Sequence, residues 1–344
     1  MFCKQPFVLA LLTCLAFGCR APRVDRYEMR APAMGTEFRI VVYATQEARA
    51  EWVMQRAMDR IRELDTILSD YSASSELRRL TQGATESGPV GVSRDLMGLL
   101  LQARAVSAQT GGAFDVTVGP LVRLWRRAFR QGELPTAEAL ARARERVGMD
   151  FLALYPDTSS AWPRRSGMAL DAGGIGKGYA LDRALELIGQ AGIQSALVEG
   201  GGDLAVSSAP PGQLGWRIQL DWGPDFSPAA PLILSHGAVA TSGDLYQALT
   251  LEGVVYSHIL DPRTGWAVRH GRRASVVAPS GALADALASA LCVTGAIGIE
   301  AFIEGAPGVE ASVLELDPAN GEALSCESKG WAPMMGPAVS ARIH

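Results

Sequence analysis

Apolar residues recur at three- and four-residue steps between Glu47 and Leu68, at Trp52, Val53, Ala57, Ile61, Leu64 and Leu68, and this spacing predicts a helix with one buried stripe. A polar loop, Ser69-Asp70-Tyr71-Ser72, follows, and it leads into a short helix around Ser75-Glu76-Leu77. The same period returns from Ser93 to Gln109 and stops at Gly111-Gly112, where glycine suits a helix C-terminus. Further helices are predicted from Leu121 to Arg130, after Pro135, across Ala180, Ala184, Leu185, Leu187 and Ile188, and from Ala282 to Leu291 with Ser280 as N-cap. Between them lie short β-rich runs: the later half of Met34–Tyr43, Leu152–Tyr155, Ala196–Glu199, Trp216–Asp221, the stretch before Tyr256, and Ser275–Ala278. No internal repeat and no clear linker interrupts the alternation, so one compact α/β unit is expected.

The N-terminus has a different pattern. Lys4 precedes an apolar run, Phe7 to Leu12, and Leu15-Ala16-Phe17-Gly18-Cys19 follows, the order of a short secretory signal. The terminal cysteine makes it similar to a bacterial lipobox. That likeness implies removal of residues 1–18, lipid on Cys19, a tether over 19–32 and a folded domain over 33–344, giving an exported lipoprotein anchored to a bacterial membrane. A plain signal peptide, leaving a soluble exported protein, is the alternative. Cys3 and Cys14 would leave with the signal, and Cys292 and Cys326 then form a disulfide or remain free. The chain is 48% hydrophobic and 20% charged with a net charge of −4, which argues against a nucleic-acid partner. The basic run Arg123, Arg126, Arg127 and Arg130 reads as a solvated helix face.

Candidate chemistry centres on Asp171-Ala172-Gly173-Gly174-Ile175-Gly176-Lys177-Gly178-Tyr179-Ala180-Leu181-Asp182, with apolar Met168–Leu170 before it and a helical run after it. This order reads as strand, turn and helix. Such a turn offers backbone N–H groups and a helix dipole to a phosphate, and Lys177 adds a point charge. It lacks the spacing of a Walker loop and of a dinucleotide fingerprint, and a turn that merely packs a helix closely on a strand is the competing reading. Asp285 and Ser289, four residues apart on one helix, offer hard oxygen ligands suited to Mg²⁺. His258 and Asp261 stand near a strand end, where either can serve as a base or simply build a turn.

In order along the chain, Met34-Gly35-Thr36, Tyr71 with Ser75-Glu76-Leu77, Gly111–Asp115, Asp171–Asp182, Gly201-Gly202-Asp203, Thr241-Ser242-Gly243-Asp244, His258–Gly265 and Ala284–Leu291 resemble the FAD:protein FMN transferases, formerly called thiamine-biosynthesis lipoproteins. The resemblance implies an α/β mixed (α+β) fold with central mixed β-sheets and flanking helices. It also implies FAD contacts from Met34, Tyr71, Ala113, Phe114, Asp115, Asp171, Lys177, His258 and Ile259. Mg²⁺ or Mn²⁺ would be held by the Gly174 carbonyl, Asp285 and Ser289; relatives often carry Ala at the first position and Thr at the last. The implied reaction moves FMN from FAD to a Ser or Thr hydroxyl of an exported acceptor flavoprotein through a phosphoester bond and releases AMP, with His258, Asp261 and Asp285 as catalytic candidates. FAD hydrolysis to FMN and AMP, and simple flavin binding, are the rivals.

Overall fold

The computed structural model describes residues 23–82, 88–223, 230–243, 248–251, 254–269, 271–317 and 322–337. Cys19, the signal and Asp244 lie outside the described residues. Among the described residues the largest sheet has eight strands: β1 (Asp25–Ala33), β2 (Thr36–Ala44), β3 (Ala196–Gly200), β4 (Asp203–Val206), β5 (Gly237–Gly243), β6 (Arg272–Ala278), β7 (Glu310–Leu316) and β8 (Ala323–Glu327). They lie side by side in chain order, and every pairing is antiparallel. The mixed α/β class therefore stands, while the ladders within this sheet are uniformly antiparallel. Helices enter as excursions between neighbouring strands, so no parallel crossover is required.

Among the described residues, six α-helices fall between β2 and β3: α1 (Glu47–Leu68), α2 (Glu76–Thr81), α3 (Arg94–Gln109), α4 (Gly119–Gln131), α5 (Ala137–Arg144) and α6 (Gly176–Gln190). α7 (Gly281–Thr294) follows β6. Ser93 and Ser280 cap α3 and α7, each accepting a backbone N–H from the first turn. Alternation along the strands separates two cores. Phe38, Ile40, Val198, Ala240 and Val276 face the helices, whereas Val41, Leu197, Leu204, Val239 and Val277 face Trp216, Trp222 and Trp331 on the other side. A third cluster joins Leu121 and Trp125 of α4 to Tyr256 and Leu260 of a small antiparallel sheet.

Three expectations change. Residues 25–33 form an edge strand rather than tether, because Arg26, Glu28 and Arg30 alternate with Tyr27, Met29 and Ala31 over a half-exposed surface. The stretch before the glycine-rich turn makes only a single parallel bridge, Ala169 to Val118, instead of a strand. Trp52 leaves the buried stripe of α1 and lies at the surface beneath the Arg56 guanidinium. Cys292 is buried in α7 and Cys326 is exposed on β8, and no disulfide joins them. Among the described residues no helix is long and apolar enough to cross a membrane.

Candidate active site

A cavity of about 1040 Å³ opens where β3 to β6 meet α4, α6 and α7, and it takes in Lys177, Asp285, Ser289, Thr241, Phe114 and Tyr71. At its base Lys177 Nζ lies 2.5 Å from Asp203 Oδ2 and 3.5 Å from Asp285 Oδ2. The Gly178 N–H donates to the same Asp285 oxygen at 3.2 Å, and the Thr241 N–H donates to Asp203 Oδ1 at 3.2 Å. Burial pushes the Asp285 carboxyl up to about 7, against the pull of Lys177 and with the help of Asp203. Burial also opposes the Lys177 charge, yet Asp203 and Asp285 outweigh it and raise that pKa above its ordinary value. Lysine leans on Asp203 and leaves Asp285 able to take another cation.

The glycine-rich turn serves two purposes. A Cβ at Gly178 would lie 2.1 Å from the Gly281 carbonyl oxygen, so this glycine lets α6 and α7 touch backbone to backbone. Asp182, at the end of the same stretch, accepts the Gly281 and Ala282 N–H groups at 2.6 and 3.0 Å and fixes the start of α7. The close-packing reading therefore holds for Gly178. Gly174 instead faces the cavity: a Cβ there would approach Ser289 Oγ to 2.9 Å and Phe114 to 3.4 Å. Ser242 Oγ is 3.4 Å from Ser289 Oγ. One buried carboxylate, neighbouring hydroxyls and a backbone turn form a hard-oxygen set that suits a small divalent cation.

A second wall is built from distant segments. Arg126 on α4 donates through Nη1 to Asp70 Oδ2 at 2.6 Å and reaches Asp171 Oδ2 at 3.5 Å through Nη2. Its guanidinium carbon sits 4.2 Å from the centre of the Tyr71 ring. Tyr71 is 75% exposed, as its loop position predicts. Burial and the adjacent Asp70 lift the Asp171 carboxyl to about 6, although it accepts the Gly173 N–H at 2.8 Å and feels Arg126. Asp115 accepts both the N–H and the hydroxyl of Thr117, at 2.8 and 2.7 Å, and burial raises its pKa.

His258 and Ile259 line the cavity from the strand Val254–Leu260. Asp261 does not line it; its carboxylate accepts from Arg263 N, Nε and Nη2 at 2.9, 2.9 and 3.1 Å. Met34 also stays outside the lining. It occupies the β1–β2 turn with φ 48°, its N–H donating to Asp65 Oδ2 at 3.1 Å. Ala113, Phe114, Asp115, Asp171 and Gly174 all contribute to the cavity wall.

The sequence pattern of the ApbE family matches residues 34–313. The chain belongs to the ApbE family. It is 32% identical over 296 residues to the FAD:protein FMN transferase of Vibrio cholerae, covering 83% of this chain and 86% of that protein. The FAD:protein FMN transferase of Treponema pallidum is 30% identical over 322 residues, or 88% of this chain and 89% of its own. Among solved structures, the flavin transferase ApbE from Vibrio cholerae superposes with TM-score 0.78 at 27% identity, over 91% of this chain and 100% of that one. The ApbE protein of Thermotoga maritima gives TM-score 0.80 at 28% identity, over 91% and 100%.

Within this ApbE scaffold, three charged residues that sequence leaves without a role shape the site: Asp70 and Arg126 line the cavity, and Asp203 stands behind it, bonded to Lys177. Arg126 was expected in solvent, yet it turns into the cavity because Asp70 and Asp171 converge on it. Asp203, at the foot of a glycine turn, carried the one usable signal: an acidic residue directly after a backbone-exposing turn.

Proposed function

We propose that this chain transfers the FMN part of FAD to a Ser or Thr hydroxyl of an acceptor protein. The observation that carries the reading is the Lys177–Asp285–Asp203 cluster beside Ser289 and Gly174, in a cavity walled by Tyr71 and Phe114. Family membership supports the same reading. The acceptor hydroxyl oxygen attacks the phosphorus on the FMN side, the P–O bond to AMP breaks, and AMP departs with the bonding pair. A phosphoester then links FMN to the acceptor. Lys177 neutralises charge on the pyrophosphate oxygens, and His258 takes the hydroxyl proton. The place of His258 in the lining supports it over Asp261, whose carboxylate is occupied by Arg263. The Gly174 carbonyl, Asp285 and Ser289 would hold Mg²⁺ or Mn²⁺, which supplies Lewis-acid charge to the phosphoryl group.

The acceptor is an exported flavoprotein carrying a short Ser/Thr motif, and Cys19 anchors the mature chain to the membrane by lipid. The likeness of residues 4–19 to a lipobox and of the domain to flavin transferases supports both features. The test is mass spectrometry of a candidate acceptor peptide incubated with the mature protein, FAD and Mg²⁺, with a chelator control. One FMN gained on Ser or Thr, with AMP released only when metal is present, is the expected result. Free FMN and AMP with an unmodified peptide would make the chain an FAD pyrophosphatase, and intact FAD throughout would reduce it to a flavin binder. Asp285→Ala should abolish metal-dependent transfer without unfolding the protein; full activity in that variant would remove α7 from the chemistry.

A further inference from the structure

Tyr71 poses a physical question: a ring 75% exposed on a loop has few neighbours to hold it, yet it lines the cavity. Its support is Arg126, whose guanidinium lies over one ring face at 4.2 Å. The same guanidinium spans Asp70 at 2.6 Å and Asp171 at 3.5 Å, and Arg78 Nη1 holds the Asp70 carbonyl at 3.1 Å. One side chain thus ties the loop after α1, the face of α4 and the start of the glycine-rich turn. A planar guanidinium can do this because stacking uses its face and the carboxylates use its edge; an ammonium has no such face.

We propose that Arg126 is a positioning residue for substrate: it makes Tyr71, Asp70 and Asp171 one preorganised wall against which a flat nitrogen heterocycle of the substrate stacks. With one Tyr71 face covered by Arg126, the other is left for the ligand, and the carboxylates alongside accept ring N–H donors. The inference deepens the FAD reading and rests on it for the ligand. FAD carries two such rings, the isoalloxazine and the adenine, so separate FMN and AMP titrations identify which one the wall receives.

The experiment compares wild type, Arg126→Gln, Arg126→Lys, Tyr71→Ala and the Arg126→Gln/Tyr71→Ala double variant, with Mg²⁺ present. Arg126→Gln should weaken FAD binding about 10-fold, the scale of a stacked cation together with the order it imposes. The effect should appear in KM more than in kcat, and in only one of the FMN and AMP titrations. Arg126→Lys should fail to rescue. Adding Arg126→Gln to Tyr71→Ala should cost under about 2-fold more, since both remove the same wall. Unchanged FAD affinity in Arg126→Gln, rescue by Lys, or full additivity with Tyr71→Ala would overturn the proposal. Hydrogen exchange on the ligand-free proteins separates this from the FAD reading. Amides at 69–73 should exchange faster in Arg126→Gln, while those of α1 do not change. Equal exchange overturns the wall even if FAD binds, and a wild type that ignores FAD overturns the FAD reading while the exchange result still decides the wall.

Discussion

Replacing Gly178 by alanine tests whether the glycine-rich stretch is built for helix contact. The new Cβ would meet the Gly281 carbonyl oxygen at 2.1 Å, its carbon at 2.3 Å and the Ala282 nitrogen at 2.7 Å, all backbone atoms that cannot rotate away. Ordinary carbon contacts begin near ~3.5 Å, so α6 and α7 must separate by about 1 Å. That movement breaks the 3.2 Å bond from the Gly178 N–H to Asp285 and stretches the Asp182 cap on α7. Overpacking of this kind costs about 1–3 kcal/mol and a lost cap about 1 more, against about 1 kcal/mol gained from alanine's helix propensity. The net expectation is a loss of about 1–3 kcal/mol, read by urea denaturation followed by circular dichroism. Gly189, in the same helix, has no neighbouring atom within 4 Å of the place a Cβ would take. Gly189→Ala should therefore stabilise by up to about 1 kcal/mol. The two substitutions differ in sign, so a Gly178→Ala protein as stable as Gly189→Ala would refute the close-contact account.

Lys177→Met strands Asp203 and Asp285, both almost fully buried, and should cost about 2–4 kcal/mol in urea denaturation while abolishing flavin transfer; part of the lysine side chain remains exposed, hence the modest figure. Asp171 has a folded pKa of about 6, above its ordinary 3.8, so it binds its proton more tightly when folded. Its contribution is present below pH ~4 and is lost as pH rises through ~6, at most about 3 kcal/mol. The stability of wild type relative to Asp171→Asn should accordingly fall between pH 4 and 7, and a flat difference in unfolding midpoints would contradict the assignment. Gly174→Ala places a methyl 2.9 Å from Ser289 Oγ, a side chain that can rotate, so the fold should survive within about 1 kcal/mol while the metal concentration giving half-maximal activity shifts.

Much of this was legible in the chain because its signals are local. The stripe of α1, the Ser93 and Ser280 caps, and the placing of Asp285 and Ser289 on one helix face all follow from residues within a few positions of each other. What stayed hidden depends on partners far away. Arg126 looked like one of four solvated arginines until Asp70, 56 positions earlier, met it. Asp203 is bound to Lys177, 26 positions before it. Asp261 was a candidate base by chemistry alone, whereas the turn folds Arg263 back onto it. β1 resembles a tether in sequence because an edge strand can carry charges on its open side without losing its alternation.

The eight strands lie in the order in which they occur along the chain, with β1 and β8 at opposite edges. A load applied to these two edge strands would therefore peel the sheet like a zipper opened from both sides, one ladder at a time. Glu199, Leu204, Thr241 and Arg273, which the cavity draws from the sheet, sit on β3 to β6. Two strands on each side stand between those sheet residues and the edges, so fraying at either edge reaches them only after two outer ladders have opened.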